Sequence, residues 1–141
     1  MPDTTDSKSL TLVGARKALD AALEAAEAMG KRFCIAVTDA AGDPIATARM
    51  DGAPRLSVGI ALNKAFTVAG FGGMPSGAWW DLIKDEPALV HGITHTPRLI
   101  VFGGGVGIFV DGTLAGAIGA SGGSADEDTE VAQAGAAAVT G

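Results

Sequence analysis

The stretch RLIVFGGGVGIFVDGTLAGAIGAS, Arg98 to Ser121, decides the fold. Its apolar residues come in short runs broken by glycine, too short for helices and bounded by turn chemistry, which is the pattern of strands. Asp111-Gly112 between the last two runs is a tight-hairpin signal, because both residues tolerate the left-handed backbone of such turns. Gly103-Gly104-Gly105 marks a turn or bulge before the middle run. The stretch therefore predicts three strands. Tight turns make their pairing antiparallel, since parallel neighbours need long crossovers.

Working outward, RFCIAVTDAAGDPIATARMD (Arg32 to Asp51) alternates Phe33, Ile35 and Val37, turns at Ala41-Gly42-Asp43 and resumes at Ile45, a second hairpin. Before it, Leu12, Ala15, Leu19, Leu23 and Ala26 recur at helical spacing within Leu10 to Met29, and Gly30 supplies the stop. A second helix is expected from Leu56 to about Val68, with Pro54 or Ser57 near its start. GFGGMPSG, from Gly70, reads as a flexible connection, and SGAWWDLIKDEP as a short helix carrying Trp79 and Trp80, followed by a loop holding both histidines. An Ala-rich helix starts at Ser124. The expected fold is α/β (α+β): a five-stranded antiparallel sheet flanked by helices. Residues 1–8 read as a disordered tail and residues 9–141 as one domain.

Composition narrows the function. The 141 residues include 21 Gly, 48% hydrophobic residues, only 5% aromatics and no Tyr, which favours close packing around small side chains. A net charge of −6 lacks the basic footprint of a nucleic-acid or anionic-membrane binder. The N-terminus MPDTTDSKS has no signal pattern, and no apolar run reaches the ~18 residues of a membrane helix, so the expected location is cytoplasmic. The one cysteine, Cys34, lies in an apolar run and reads as a core residue.

The segment GAIGASGGSADED, Gly116 to Asp128, raises the question of a phosphate loop. Ser124 and Glu127 fit the capping box, and Asp126, Glu127 and Asp128 place negative charge in the first helical turn, where it would repel a phosphate. No Lys follows the glycines, so the Walker pattern fails, and without a parallel unit the dinucleotide reading fails as well. What remains is a helix cap, or a ligand-pocket wall in which Ser121 and Gly122 donate.

Three blocks together resemble the GlcG/HbpS family of haem-binding or haem-degrading domains, also found at the C-terminus of PduO-type proteins. They are RMDGAPRLSVGIALNKAFTVA (Arg49–Ala69), GGGVGIFVDGTLAGAIGASGG (Gly103–Gly123) and DEDTEVAQAG (Asp126–Gly135). The family's motif positions correspond here to Asp51, Gly52, Lys64, Ala65, Gly104, Asp111, Gly112, Gly119, Gly122, Gly123 and Asp128. The resemblance implies a profilin-like three-layer sandwich, homo-oligomers and a link to haem or to catabolic operons. Members that ligate haem through histidine place it near the first helix, and this helix has none. The axial candidates here are His91, His95, Cys34 and the methionines.

Residue by residue, Lys64 in an apolar helical stretch is a candidate anion partner or, if its pKa is lowered by burial, a base. Arg49 and Arg55 could grip a carboxylate through the guanidinium fork. Asp51, His91 and His95 are candidate proton carriers. Trp79 and Trp80 are either core or a stacking wall for a flat ligand. No zinc pattern accompanies the histidines, so no metal site is expected. Three functions follow as expectations: binding of haem or a similar small ligand with carboxylate groups; a cofactor-independent isomerase or lyase acting on a small organic acid; and a non-catalytic homo-oligomeric assembly module.

Overall fold

The computed structural model describes all residues, 1–141. Helix α1 spans Leu12–Met29; the Thr11 hydroxyl accepts from Gly14 N at its start, and Gly30 closes it in the left-handed conformation at φ 72°. Ala15, Ala18, Ala22 and Ala26 fall on one face and are fully buried, so the helix sits close against what it covers. Strands β1 (Cys34–Asp39) and β2 (Pro44–Arg49) form the first hairpin, followed by helix α2 (Leu56–Gly70). The connection then carries α3 (Trp79–Ile83) and α4 (Pro87–Gly92) before strands β3 (Gly105–Val110) and β4 (Thr113–Ser121) and helix α5 (Ala125–Ala137).

The strands make one antiparallel sheet in the order β2-β1-β4-β3. Side chains alternate across it. Ile35 and Val37 of β1, with Ile118 and Ala120 of β4, pack against α1 and α5 in the main core. Cys34, Ala36 and Ala117 point the other way, toward Ala61, Ala65 and Val68 of α2. Helices thus lie on both faces. Gly119 lets α2 approach β4 closely, for a Cβ there would overlap the Ala61 carbonyl and come within 2.9 Å of Ala65 N.

The sheet has four strands, not five. The predicted strand at residues 98–102 leaves the sheet because α2 claims its polar groups. Ile100 N donates to Thr67 Oγ1 at 2.9 Å, and Arg98 Nε donates to Asn63 Oδ1 at 3.0 Å. The Arg98 guanidinium also stacks 3.7 Å from the Phe66 ring centroid, and Arg98 itself adopts φ 67°, which breaks an extended chain. On the edge of β3, Ser76 Oγ accepts from Gly105 N at 2.9 Å, in place of a further strand.

The histidine region is also more ordered than a loop. His91 lies in the last turn of α4, which begins with Pro87 at a position where its missing N–H costs nothing, and His95 ends a 3-10 turn. The second helix runs to Gly70, two residues beyond expectation. No helix is long and apolar enough to cross a membrane.

Candidate functional site

Two places concentrate polar chemistry. The first lies where β4 ends and α5 begins. Lys64 of α2 is fully buried, and its Nζ donates to Asp128 Oδ2 at 2.8 Å and to the Ala120 carbonyl at 2.9 Å. The other carboxylate oxygen of Asp128 accepts from Gly122 N at 3.0 Å and Gly123 N at 2.8 Å. Burial pushes the Lys64 pKa down, while the hydrogen bond and the charge of Asp128 pull it back up. Phe102 presents its ring 5.1 Å from the ammonium. Gly104, at φ 127°, makes room for the pair, since a Cβ there would overlap Nζ and come within 2.9 Å of the Asp128 Cβ.

This arrangement answers the question of the Gly-rich loop. Its backbone N–H groups do cradle an anion, and that anion is the protein's own Asp128 carboxylate. Ser124 and Glu127 form the expected capping box. Ser121, beside the loop, donates to Ser57 Oγ at 3.0 Å.

The second place is a hollow of about 520 Å³ between the C-terminal end of α1 and the end of β2. Leu23, Ala48 and Met50 supply its apolar wall, and the cations Lys31, Arg32 and Arg49 line it together with the carboxylates Glu27 and Asp51. Local sequence explains the convergence. The Gly30 cap ends α1 and feeds Lys31 and Arg32 straight into β1, and the hairpin brings Arg49 to Asp51 back beside them. Arg32 Nη1 donates to the Asp51 carbonyl, Lys31 pairs with Glu127, and Arg49 takes part in none of the ion pairs. A free guanidinium beside apolar wall can grip a carboxylate.

The predicted site residues therefore separate. Arg49 and Asp51 share the hollow; Lys64, Ser121 and Gly122 belong to the buried network. A smaller cleft of about 360 Å³ between the sheet and α2, walled by Ala36, Thr47, Val58 and Leu62, has Arg49 as its one cation, and Lys64 does not line it. Arg55, His91 and His95 are exposed and line none of these hollows. Trp79 is buried against Phe71 at 4.7 Å between ring centroids, whereas Trp80 is exposed. Sequence reasoning missed Lys31, Arg32 and Met50 as wall residues. The available signal was the basic pair directly after the Gly30 cap, together with Met50 between Arg49 and Asp51.

A four-stranded antiparallel sheet covered by helices on both faces, with a hollow beside its edge strand, defines a small α/β sandwich domain. Residues 10–137 match the family described as haem-degrading protein HbpS-like, and the chain belongs to that family. It is 30% identical over 128 residues to an uncharacterized 15.0 kDa protein from the dhaT–dhaS intergenic region of Citrobacter freundii, covering 89% of this chain and 88% of that one. A double mutant of HbpS from Streptomyces reticuli superposes with a TM-score of 0.83 at 34% identity, covering 97% of this chain and 91% of the other. PduOC, solved as a haem complex, superposes at 0.84 with 29% identity, covering 93% and 95% respectively.

Proposed function

We propose that this protein binds haem or a similar flat, acidic small molecule in the cytoplasm, in the hollow beside Arg49. The observation that carries the reading is the excess of cations in one cavity, Lys31, Arg32 and Arg49 against Glu27 and Asp51, beside the apolar Leu23, Ala48 and Met50. Its volume of about 520 Å³ lies within the ~300–1,000 Å³ of ordinary ligand sites. The guanidinium and ammonium groups are suited to the carboxylates of such a ligand, and Leu23, Ala48 and Met50 offer it apolar contact. Bound haem would supply redox-active iron. Family membership and the haem complex of PduOC support the same ligand class.

Titration with hemin, followed by absorbance, tests the proposal. A shifted Soret band that saturates at micromolar protein is expected, with weaker binding in Arg49→Gln. An unshifted band throughout the titration would overturn it. The cofactor-independent enzyme gains less support, because Lys64, Asp51, His91 and His95 do not converge on one cavity.

Self-association is a second reading with its own observation. Phe71, Trp80, Leu82 and Phe109 are each at least half exposed, an unusual load of large apolar side chains for a free surface. Sedimentation at micromolar concentration is expected to show a species larger than a monomer, and a monomer would refute this reading.

A further inference from the structure

We infer that the cleft between the sheet and α2 is a separate ligand site, which takes a monocarboxylic acid with an apolar tail and holds its carboxylate on Arg49. This goes beyond the reading above, because the hollow is walled by α1 and the cleft by α2, and only Ala48 and Arg49 border both. The fold makes the cleft by leaving part of the sheet bare. Helix α2 packs over β4, β1 and β3, and the edge strand β2 lies largely outside its cover. Ala36 gives the floor of the cleft, and Pro44, Val58 and Leu62 give its apolar sides. Its volume of about 360 Å³ is at the lower end of the ~300–1,000 Å³ of small-molecule sites, so it suits a small ligand.

Strand register decides what faces into the cleft. Cys34 and Ala36 of β1 point toward α2, and their cross-strand partners are Arg49 and Thr47. Paired residues share a face of the sheet, so the guanidinium and the Thr47 hydroxyl stand on the α2 side, with the cleft. Burial raises the Cys34 thiol pKa and the charge of Arg49 lowers it, which agrees with a guanidinium on that face. Arg49 takes part in none of the ion pairs, and no carboxylate lines the cleft. Here the cleft differs from the hollow, where Glu27 and Asp51 stand among the cations. One guanidinium fork, one hydroxyl and an otherwise apolar wall match a single carboxylate on a hydrocarbon body. A dicarboxylate or a sugar phosphate would set its further polar groups against Val58 and Leu62, where nothing compensates them.

The test titrates acetate, butanoate and hexanoate into the full chain by calorimetry, with hexanamide as the neutral control and amide NMR shifts to locate the site. Affinity is expected to rise about twofold to fourfold per added methylene, as burial of hydrocarbon requires, and hexanamide should bind about tenfold more weakly than hexanoate. Hexanoate should shift the amides of Ala36, Thr47, Val58 and Leu62. Val58→Phe, at a half-exposed position with room for a larger side chain, should fill the cleft and weaken hexanoate binding about tenfold. Lys31→Gln, which alters the hollow alone, should leave hexanoate binding unchanged. Circular dichroism reports whether each variant is folded. Equal affinity for acetate and hexanoate would reduce Arg49 to a surface charge and overturn the inference. Weaker binding in Lys31→Gln with none lost in Val58→Phe would move the acid to the hollow and overturn it as well, as would no binding of hexanoate at millimolar concentration. The hemin titration reads the hollow, so that reading and this one fail separately.

Discussion

Lys64 and Asp128, 64 residues apart in sequence, meet at 2.8 Å and join α2 on one face of the sheet to α5 on the other. Both side chains are almost wholly removed from water, so the pair lives in a medium where an unpartnered charge is costly. Its carboxylate is held by two backbone N–H groups as well, which makes Asp128 the node of the network rather than one arm of a bridge.

Asp128→Ala is therefore expected to destabilise the fold by about 3–5 kcal/mol, since it strands a buried ammonium and two N–H groups. Lys64→Met should cost less, because Asp128 keeps its two backbone donors. Urea unfolding of both variants checks the order. Equal or reversed costs would show that Asp128 is not the node.

Gly119→Ala should destabilise by about 3 kcal/mol, the upper end of overpacking, because the new methyl meets the backbone of α2, which cannot give way as a side chain would. Gly59, on the same helix with open space where a Cβ would stand, is the control. Gly59→Ala should stabilise by about 0.8–1 kcal/mol through helix propensity alone. Thermal unfolding of the two variants separates a packing effect from a general intolerance of alanine.

Glu127 titrates at about 2, below its ordinary value of 4.5, because it accepts hydrogen bonds from Lys31 and then from the Ser124 backbone. A carboxylate held low in the folded state binds its proton less readily there than in the unfolded chain. Its stabilisation is thus full above about pH 4.5 and is lost as pH falls toward 2. Glu127→Gln should flatten the stability profile across that acidic window and leave the profile above it unchanged in shape. Chemical denaturation at stepped pH measures this.

Thr67→Val removes the acceptor of the Ile100 amide and should release residues 98–102 from α2 at a cost of about 1–3 kcal/mol. Hydrogen exchange is expected to quicken at Ile100 while the amides of β1 and β4 stay protected. Continued protection of Ile100 would mean that another contact holds the segment.

The sequence alone determined the elements whose signals are local. The first helix, both hairpins and the Ser124–Glu127 cap are set by residues within a turn or two of each other, and each is realised. The fully buried face of α1 is nevertheless Ala15, Ala18, Ala22 and Ala26, with Leu12 exposed and Leu19 and Leu23 half-buried. The GlcG/HbpS resemblance rested on whole blocks and holds at the family level. Tertiary structure decided the rest, because those outcomes depend on which groups meet across long separations. Ile100 and its neighbours carry a strand pattern, yet Thr67 and Asn63 offered their polar groups better partners than a fifth ladder position did. Lys64 and Asp128 read as separate charges until folding removed both from water and left each as the other's compensation. The basic hollow exists only because the end of α1 and the end of β2, about twenty residues apart along the chain, are returned to one place by the hairpin.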